Sequence, residues 1–157
     1  MNINFRKATS SDSEYIGELI VKLATEIREL TSTKNYDINL NSIIQRCREL
    51  ITDGHCDAIL GFYENVPVAV ATMNETYALY ASGKIGGIQE FYVVPEHRVS
   101  GLGSMLVEQV KAHGIQQNWS CIELCTPSLP EFERTLNFYQ NNGFKPVGGR
   151  KMTLSLA

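Results

Sequence analysis

Between a β-prone run ending at Val94 and an amphipathic run opening at Leu102 lies the segment Pro95, Glu96, His97, Arg98, Val99, Ser100, Gly101, Leu102, Gly103, Ser104. A chain that turns there to open a helix exposes unpartnered amides carrying about half a positive charge, and residues without Cβ let a phosphate approach them closely. The chemistry is that of a diphosphate cradle, beside which Arg98 could pair with a phosphate or stand as a solvated charge. Neither the three spaced glycines of the dinucleotide fingerprint nor the GK[ST] of the ATPase phosphate loop is present, which disfavours both ligands. The plain alternative is a tight connection with no ligand.

Glu90 is the second chemical feature, a carboxylate on the otherwise apolar strand that leads into this loop. Burial would raise its pKa toward neutrality and make it a better proton acceptor; the alternative is a structural carboxylate tied to backbone or to an Arg. Alternation puts it on the face of Ile88 and Tyr92, opposite Phe91 and Val93, and Gln89 reads as structural. His55, His97 and His113 are scattered as surface or helix-end residues, so no hydrolase triad forms. Cys47, Cys56, Cys121 and Cys125 lack metal-ligand spacing, and free, mostly buried thiols with no metal are expected.

The elements that must position these residues follow from periodicity. Ile3 to Ala8 alternates as a strand, and Ser11, Asp12, Ser13, Glu14 offers a capping box for a helix with its apolar stripe at Ile16, Leu19, Ile20, Leu23, Ile27 and Leu30. A second helix runs through Ile43, Ile44, Cys47, Leu50 and Ile51 to Asp53 and Gly54. Asp57–Tyr63 and Val66–Met73 read as a hairpin turning at Glu64 and Asn65, Glu75–Ser82 as a less regular strand, and Lys84–Val94 as a further strand. A helix over Leu102–Gln117, a short strand over Cys121–Thr126 and a helix over Glu131–Asn142 capped by Gly143 come next. Gly148 and Gly149 suggest a closing hairpin between Lys145–Val147 and Arg150–Leu156.

The chain has 157 residues, 43% hydrophobic and 20% charged, which fits one packed α/β domain spanning 1–157 and disfavours disorder. Fourteen basic against 17 acidic residues give a net charge of -3, so no broad nucleic-acid footprint is expected. No apolar stretch approaches the roughly 18 residues a membrane span needs, and Met1 to Arg6 reads as strand rather than leader, so neither membrane nor secretion is expected and the cytoplasm is the default.

The stretch QEFYVVPEHRVSGLGS, Gln89 to Ser104, resembles the acyl-CoA-binding motif of the GNAT acetyltransferase superfamily: Gln or Arg, two residues, Gly, one residue, Gly or Ala. Arg98, Gly101 and Gly103 fill the three places, after a strand end formed by Glu90, Phe91, Val93 and Pro95. NFYQNNGF, Asn137 to Phe144, resembles the second signature, a helix ending in FYxxxGF. The resemblance is firm from about Lys84 to Phe144. Phe132 and Thr135 stand where the family commonly has Asn and Ala, and Val99 and Ser100 where Gly or small basic residues are frequent.

The resemblance implies a single-domain GNAT-like α/β fold: a mixed, mostly antiparallel sheet of about seven strands flanked by four helices, with a parallel strand pair splayed at the cofactor site. It implies an N-acetyltransferase using acetyl-CoA on a primary amine, by direct transfer without an acyl-enzyme. The amides of Val99, Ser100, Gly101, Leu102, Gly103 and Ser104 would receive the diphosphate after Arg98, and the backbone of Val93 and Val94 would pair with the pantetheine arm as an added strand. Glu90 would be the base, directly or through water, for an amine of pKa near roughly 10.4. Tyr139 would donate to the departing thiolate. The acceptor would be shaped by the helix–helix loop, about Thr31 to Asn39 with Tyr36 and Asp37, and by the closing hairpin. Dimerisation is frequent in that family, so the resemblance makes a homodimer one expected partner, beside a small-molecule or peptide amine. A non-catalytic acyl-CoA sensor or scaffold is the alternative from another class, and a plain nucleotide-binding α/β domain a third.

Overall fold

A computed structural model describes residues 2–31, 38–80, 83–127 and 132–156. The chain divides into two compact units, 1–124 and 125–157. In the first, β1 (Ile3–Lys7), α1 (Ser13–Thr31), α2 (Leu40–Thr52), β2 (Asp57–Tyr63), β3 (Val66–Ala78), β4 (Gly83–Val93), α3 (Leu102–Gln116) and β5 (Ile122–Glu123) follow in order. The strands lie in that order in one sheet, the first three pairings antiparallel and β4 with β5 parallel. The mixed α/β class and the strand–helix–strand unit β4–α3–β5 are as expected from the sequence.

The chemistry of each boundary is local. Glu64 and Asn65 both take positive φ, 49° and 66°, the turn that matches the right-handed twist of the β2–β3 hairpin. Thr9 and Asp12, rather than Ser11 and Glu14, form the box before α1. The Asp12 carboxylate accepts the Thr9 amide at 2.9 Å and the Arg6 guanidinium at 2.7 and 2.8 Å, so it is already committed one turn early. Asn39 caps α2 by accepting from the Ser42 amide at 3.0 Å.

Alternation along β3 separates two layers. Asp57 pairs with Met73, and Asp57 meets His113 of α3 at 3.2 Å, so α3 covers that face. Thr72 and Val70 point to the other, together with Glu90 and Tyr92 across the ladder, where α1 packs. The core of this unit includes Ile16 and Leu19 from α1, Leu60 and Val70 from the sheet, and Leu102, Leu106 and Val110 from α3. Trp119 packs against Gly86 and Gly114, where a Cβ would overlap its ring, and its indole donates to Glu75 at 2.8 Å, fixing α3 over the start of β4.

Several expectations change. Among the described residues the sheet has five strands, not about seven. Glu75 and its successors extend β3 unbroken to Ala78, because they pair directly with Gly83–Gly86; Ser82 lies outside the described residues. The strand expected over Cys121–Thr126 shrinks to two residues. In the second unit α4 (Glu133–Asn141) forms with Gly143 at φ 94° behind it, and Glu131 is outside the described residues. The closing hairpin does not form among the described residues. Gly148 and Gly149 take the expected positive φ of 85° and 79°, yet no strand is present in 144–156, where Val147, Met152, Leu154 and Leu156 are exposed. Two strands with no apolar face to bury are marginal in water. All four cysteines are free, but Cys121 and Cys125 are exposed and only Cys47 and Cys56 half-buried. Tyr36 and Asp37 lie outside the described residues.

Candidate active site

β4 runs into the loop through a single 3-10 turn, Pro95–His97, for which Pro95 supplies a preset φ. The His97 amide returns to the Val94 carbonyl at 3.0 Å, and the Ser100 hydroxyl donates to the His97 carbonyl at 2.6 Å. Gly101 then takes φ 83° as the N-cap of α3, a conformation that costs an L side chain about 1 kcal/mol or more. The first helical bond runs from the Met105 amide to the Gly101 carbonyl at 3.1 Å. Helix geometry therefore leaves the amides of Gly101, Leu102, Gly103 and Ser104 without intrahelical partners, at the positive end of the peptide dipoles. Leu102 is fully buried and nails this end to the core, while Val99, 91% exposed, and Ser100 face solvent. A Cβ on Gly101 would meet nothing within 4 Å, so the approach is open.

The end of β4 offers a second set of backbone groups. The Val94 amide donates to the Val68 carbonyl at 2.9 Å, so Val94 faces β3 and, by alternation, Val93 faces the opposite edge. β5 pairs only with Gly86 and Gly87, and the ladder does not reach Val93. Of the two residues expected to present free backbone, Val93 faces that edge and Val94 is engaged. The Val93 carbonyl accepts the Arg98 Nε at 2.9 Å, which leaves its amide as the donor turned toward the open edge.

Arg98 does not stand free. Its two terminal nitrogens each meet a Glu26 carboxylate oxygen on α1 at 2.7 Å, and its guanidinium lies 5.3 Å from the centre of the Tyr92 ring.

Glu90 pairs with Thr72, whose hydroxyl donates to Oε2 at 2.5 Å and accepts the Glu90 amide at 3.1 Å. No other described residue hydrogen-bonds to its carboxylate. Burial pushes this carboxyl above the ordinary carboxylate range, and the Thr72 hydroxyl opposes part of that rise. Thr72 pairs with Glu90 but Met73 pairs with Ile88, so Gln89 is an extra residue in β4. This bulge interrupts the alternation that would link Glu90 to Ile88; the Thr72 contact, not parity, fixes where the carboxylate lies. Burial also raises the Cys47 thiol and pushes Cys56 up to about 12, each with a smaller contribution from the Glu90 charge.

Tyr139 belongs to the second unit, buried on α4 with its ring 5.2 Å from Phe138 and 5.5 Å from Phe144. The Phe144 amide returns to the Tyr139 carbonyl at 3.0 Å, closing the helix behind it. Burial raises its phenol above the ordinary value, so it stays protonated, and a donor, at neutral pH.

Strand Glu90, the two loop glycines and Tyr139 were visible as residue types. Thr72 and Glu26 were not, because they lie 18 and 72 positions from their partners and carry no local signal. The Gln89 bulge likewise depends on the pairing partner rather than on the strand itself.

The sequence matches the acetyltransferase (GNAT) family over residues 21–144, more than three quarters of the chain. Three solved structures illustrate the likeness of fold. A possible acetyltransferase from Clostridium difficile 630 superposes with a TM-score of 0.78 at 18% identity, covering 100% of both chains. A ribosomal-protein-alanine N-acetyltransferase from Brucella melitensis biovar Abortus 2308 gives 0.76 at 16% identity, covering 98% of this chain and 99% of that one. The aminoglycoside N-acetyltransferase AAC(6')-Iy, solved in complex with CoA, gives 0.77 at 14% identity, with 99% and 96% covered. No curated protein sequence matches the chain.

Proposed function

The chain belongs to the acetyltransferase (GNAT) family, a family of acyltransferases, and from that membership we propose that it transfers an acetyl group from acetyl-CoA to a primary amine by direct attack in a ternary complex. The observation that carries the proposal is the open start of α3, where Gly101 takes φ 83° and the first-turn amides have no intrahelical partners, eight residues after the Val93 edge. These groups fit a diphosphate followed by an extended amide-bearing arm: fixed N–H donors at a helix N-terminus, then a strand edge. When bound, the cosubstrate supplies an activated thioester.

The chain's own residues supply the rest. In this proposal the amides from Val99 to Ser104 hold the diphosphate, with the Ser104 hydroxyl as a further donor, and the Val93 amide orients the arm, with Val94 fixed behind it on β3. A donor at that edge also favours the oxygen on which negative charge develops as the amine attacks. Glu90 accepts the proton an ammonium must lose, and its raised pKa brings it closer to the working pH. Thr72 holds Oε2, which leaves Oε1 to face the acceptor or an intervening water. Tyr139, kept protonated by burial, stabilises the leaving thiolate by a hydrogen bond rather than by full transfer. The chain acts as one N-acetyltransferase domain in the cytoplasm.

Isothermal titration with acetyl-CoA, followed by a thiol-release assay over a panel of amines, tests this. Binding with turnover that Glu90→Gln abolishes is the expected result. Binding without turnover, indifferent to Glu90→Gln and Tyr139→Phe, would make the chain an acyl-CoA sensor or scaffold, and absence of CoA binding would overturn both.

A further inference from the structure

Arg98 opens the loop that the diphosphate would meet, yet all three of its guanidinium nitrogens already make contacts elsewhere. Nε reaches the Val93 carbonyl at 2.9 Å, and the two terminal nitrogens form a planar fork on both oxygens of Glu26 at 2.7 Å. Of five N–H groups, three are spent on these contacts, and the face of the group lies over Tyr92, next to Val93 on β4. The Glu26 side chain is only 31% exposed. Turning Arg98 toward a phosphate would strip that carboxylate of its partner beside an incoming anion and would free the Val93 carbonyl.

We propose that Arg98 is a positioning residue, tying the end of β4 and the mouth of the loop to α1 through Glu26, rather than a ligand of the diphosphate. The inference rests on the acetyl-CoA reading above. The tie has two consequences. It holds the Val93 peptide with its amide toward the open edge and its carbonyl satisfied, so the strand end is ordered before any arm arrives. It also joins α1, which covers the Glu90 face of the sheet, to the loop on which the cosubstrate would sit.

The sign of one substitution separates tie from ligand. If Arg98 only positions, Glu26→Gln breaks the fork and weakens CoA binding by about two- to fivefold. Arg98→Gln does the same, the double variant is no worse than either single one, and the dependence of CoA affinity on ionic strength keeps the wild-type slope. KM for acetyl-CoA rises while kcat at saturation stays within about twofold. Glu26→Asp keeps the charge but shortens the arm, and it weakens binding too. If Arg98 is a phosphate ligand, Glu26→Gln frees the guanidinium and tightens binding, and Arg98→Gln flattens the salt dependence; either result overturns the proposal, as does an unchanged affinity in both Glu26 variants. Should Arg98→Gln not fold, as judged by circular dichroism, the two Glu26 variants decide alone. A wild-type protein that binds no CoA contradicts the acetyl-CoA reading instead, so the two failures are distinguishable.

Discussion

Glu90 carries its chemistry because of what surrounds it. A carboxylate under helix α1 of the sheet resists ionising, and its single hydroxyl partner, Thr72, opposes that resistance only in part. Its folded pKa is raised, so its contribution to stability is full below the ordinary carboxylate range and lost as pH rises through the folded value. Glu90→Gln should therefore raise the melting temperature at pH 7, with the gain fading toward pH 4, while lowering kcat/KM about 10²- to 10⁴-fold and removing the acidic limb of its pH profile. Equal melting curves at pH 7 and pH 4 would show that the burial penalty is absent. Thiol chemistry gives a second check: at pH 7 a disulfide reagent should titrate Cys121 and Cys125 fast, while Cys47 and Cys56, half-buried with raised pKa values, react slowly. Four fast thiols would contradict that. Glu90 was legible in sequence as a lone charge in the run IQEFYVV, whereas its partner Thr72 and the Arg98 partner Glu26 became visible only through the fold.

Elements were legible where their signal is local. The stripe of α1, the turn at Glu64 and Asn65 and the cap at Asp53 and Gly54 depend on neighbours in sequence, and each appears within a residue or two of its expected place. The continuity of β3 to Ala78, the bulge at Gln89 and the fate of residues 144–156 depend on which strand lies alongside, which periodicity does not encode. Two substitutions test the element ends. Gly101→Ala should cost about 1 kcal/mol in stability from its φ of 83° and should also weaken CoA binding, because the added methyl stands at the mouth of the amide cluster. Unchanged affinity would place the ligand elsewhere. Asp12→Asn should cost about 1 kcal/mol at pH 7 through the lost box and Arg6 fork. Asp12 is held below the ordinary range by Arg6, so its stabilisation is present above about pH 4 and lost as pH falls through the folded value, and denaturation curves for variant and wild type should converge in acid.

At the scale of the whole molecule, the first unit brings a strand edge, a helix start and a half-buried carboxylate into one continuous stretch from Glu90 to Ser104. That stretch was readable because the three features are consecutive in sequence. Tyr139 belongs to the second unit, and it was legible as part of the local run NFYQNNGF. Least legible were the sequence from Thr31 to Asn39, which carries no periodic signal, and 144–156, which form no strand. The most direct measurement is a titration of isotopically labelled protein with CoA, followed through its backbone amide resonances. The resonances of Gly101 to Ser104 and of Val93 should move together and saturate at one concentration. Shifts confined to other residues, or none at all, would contradict the assignment of a diphosphate to the start of α3.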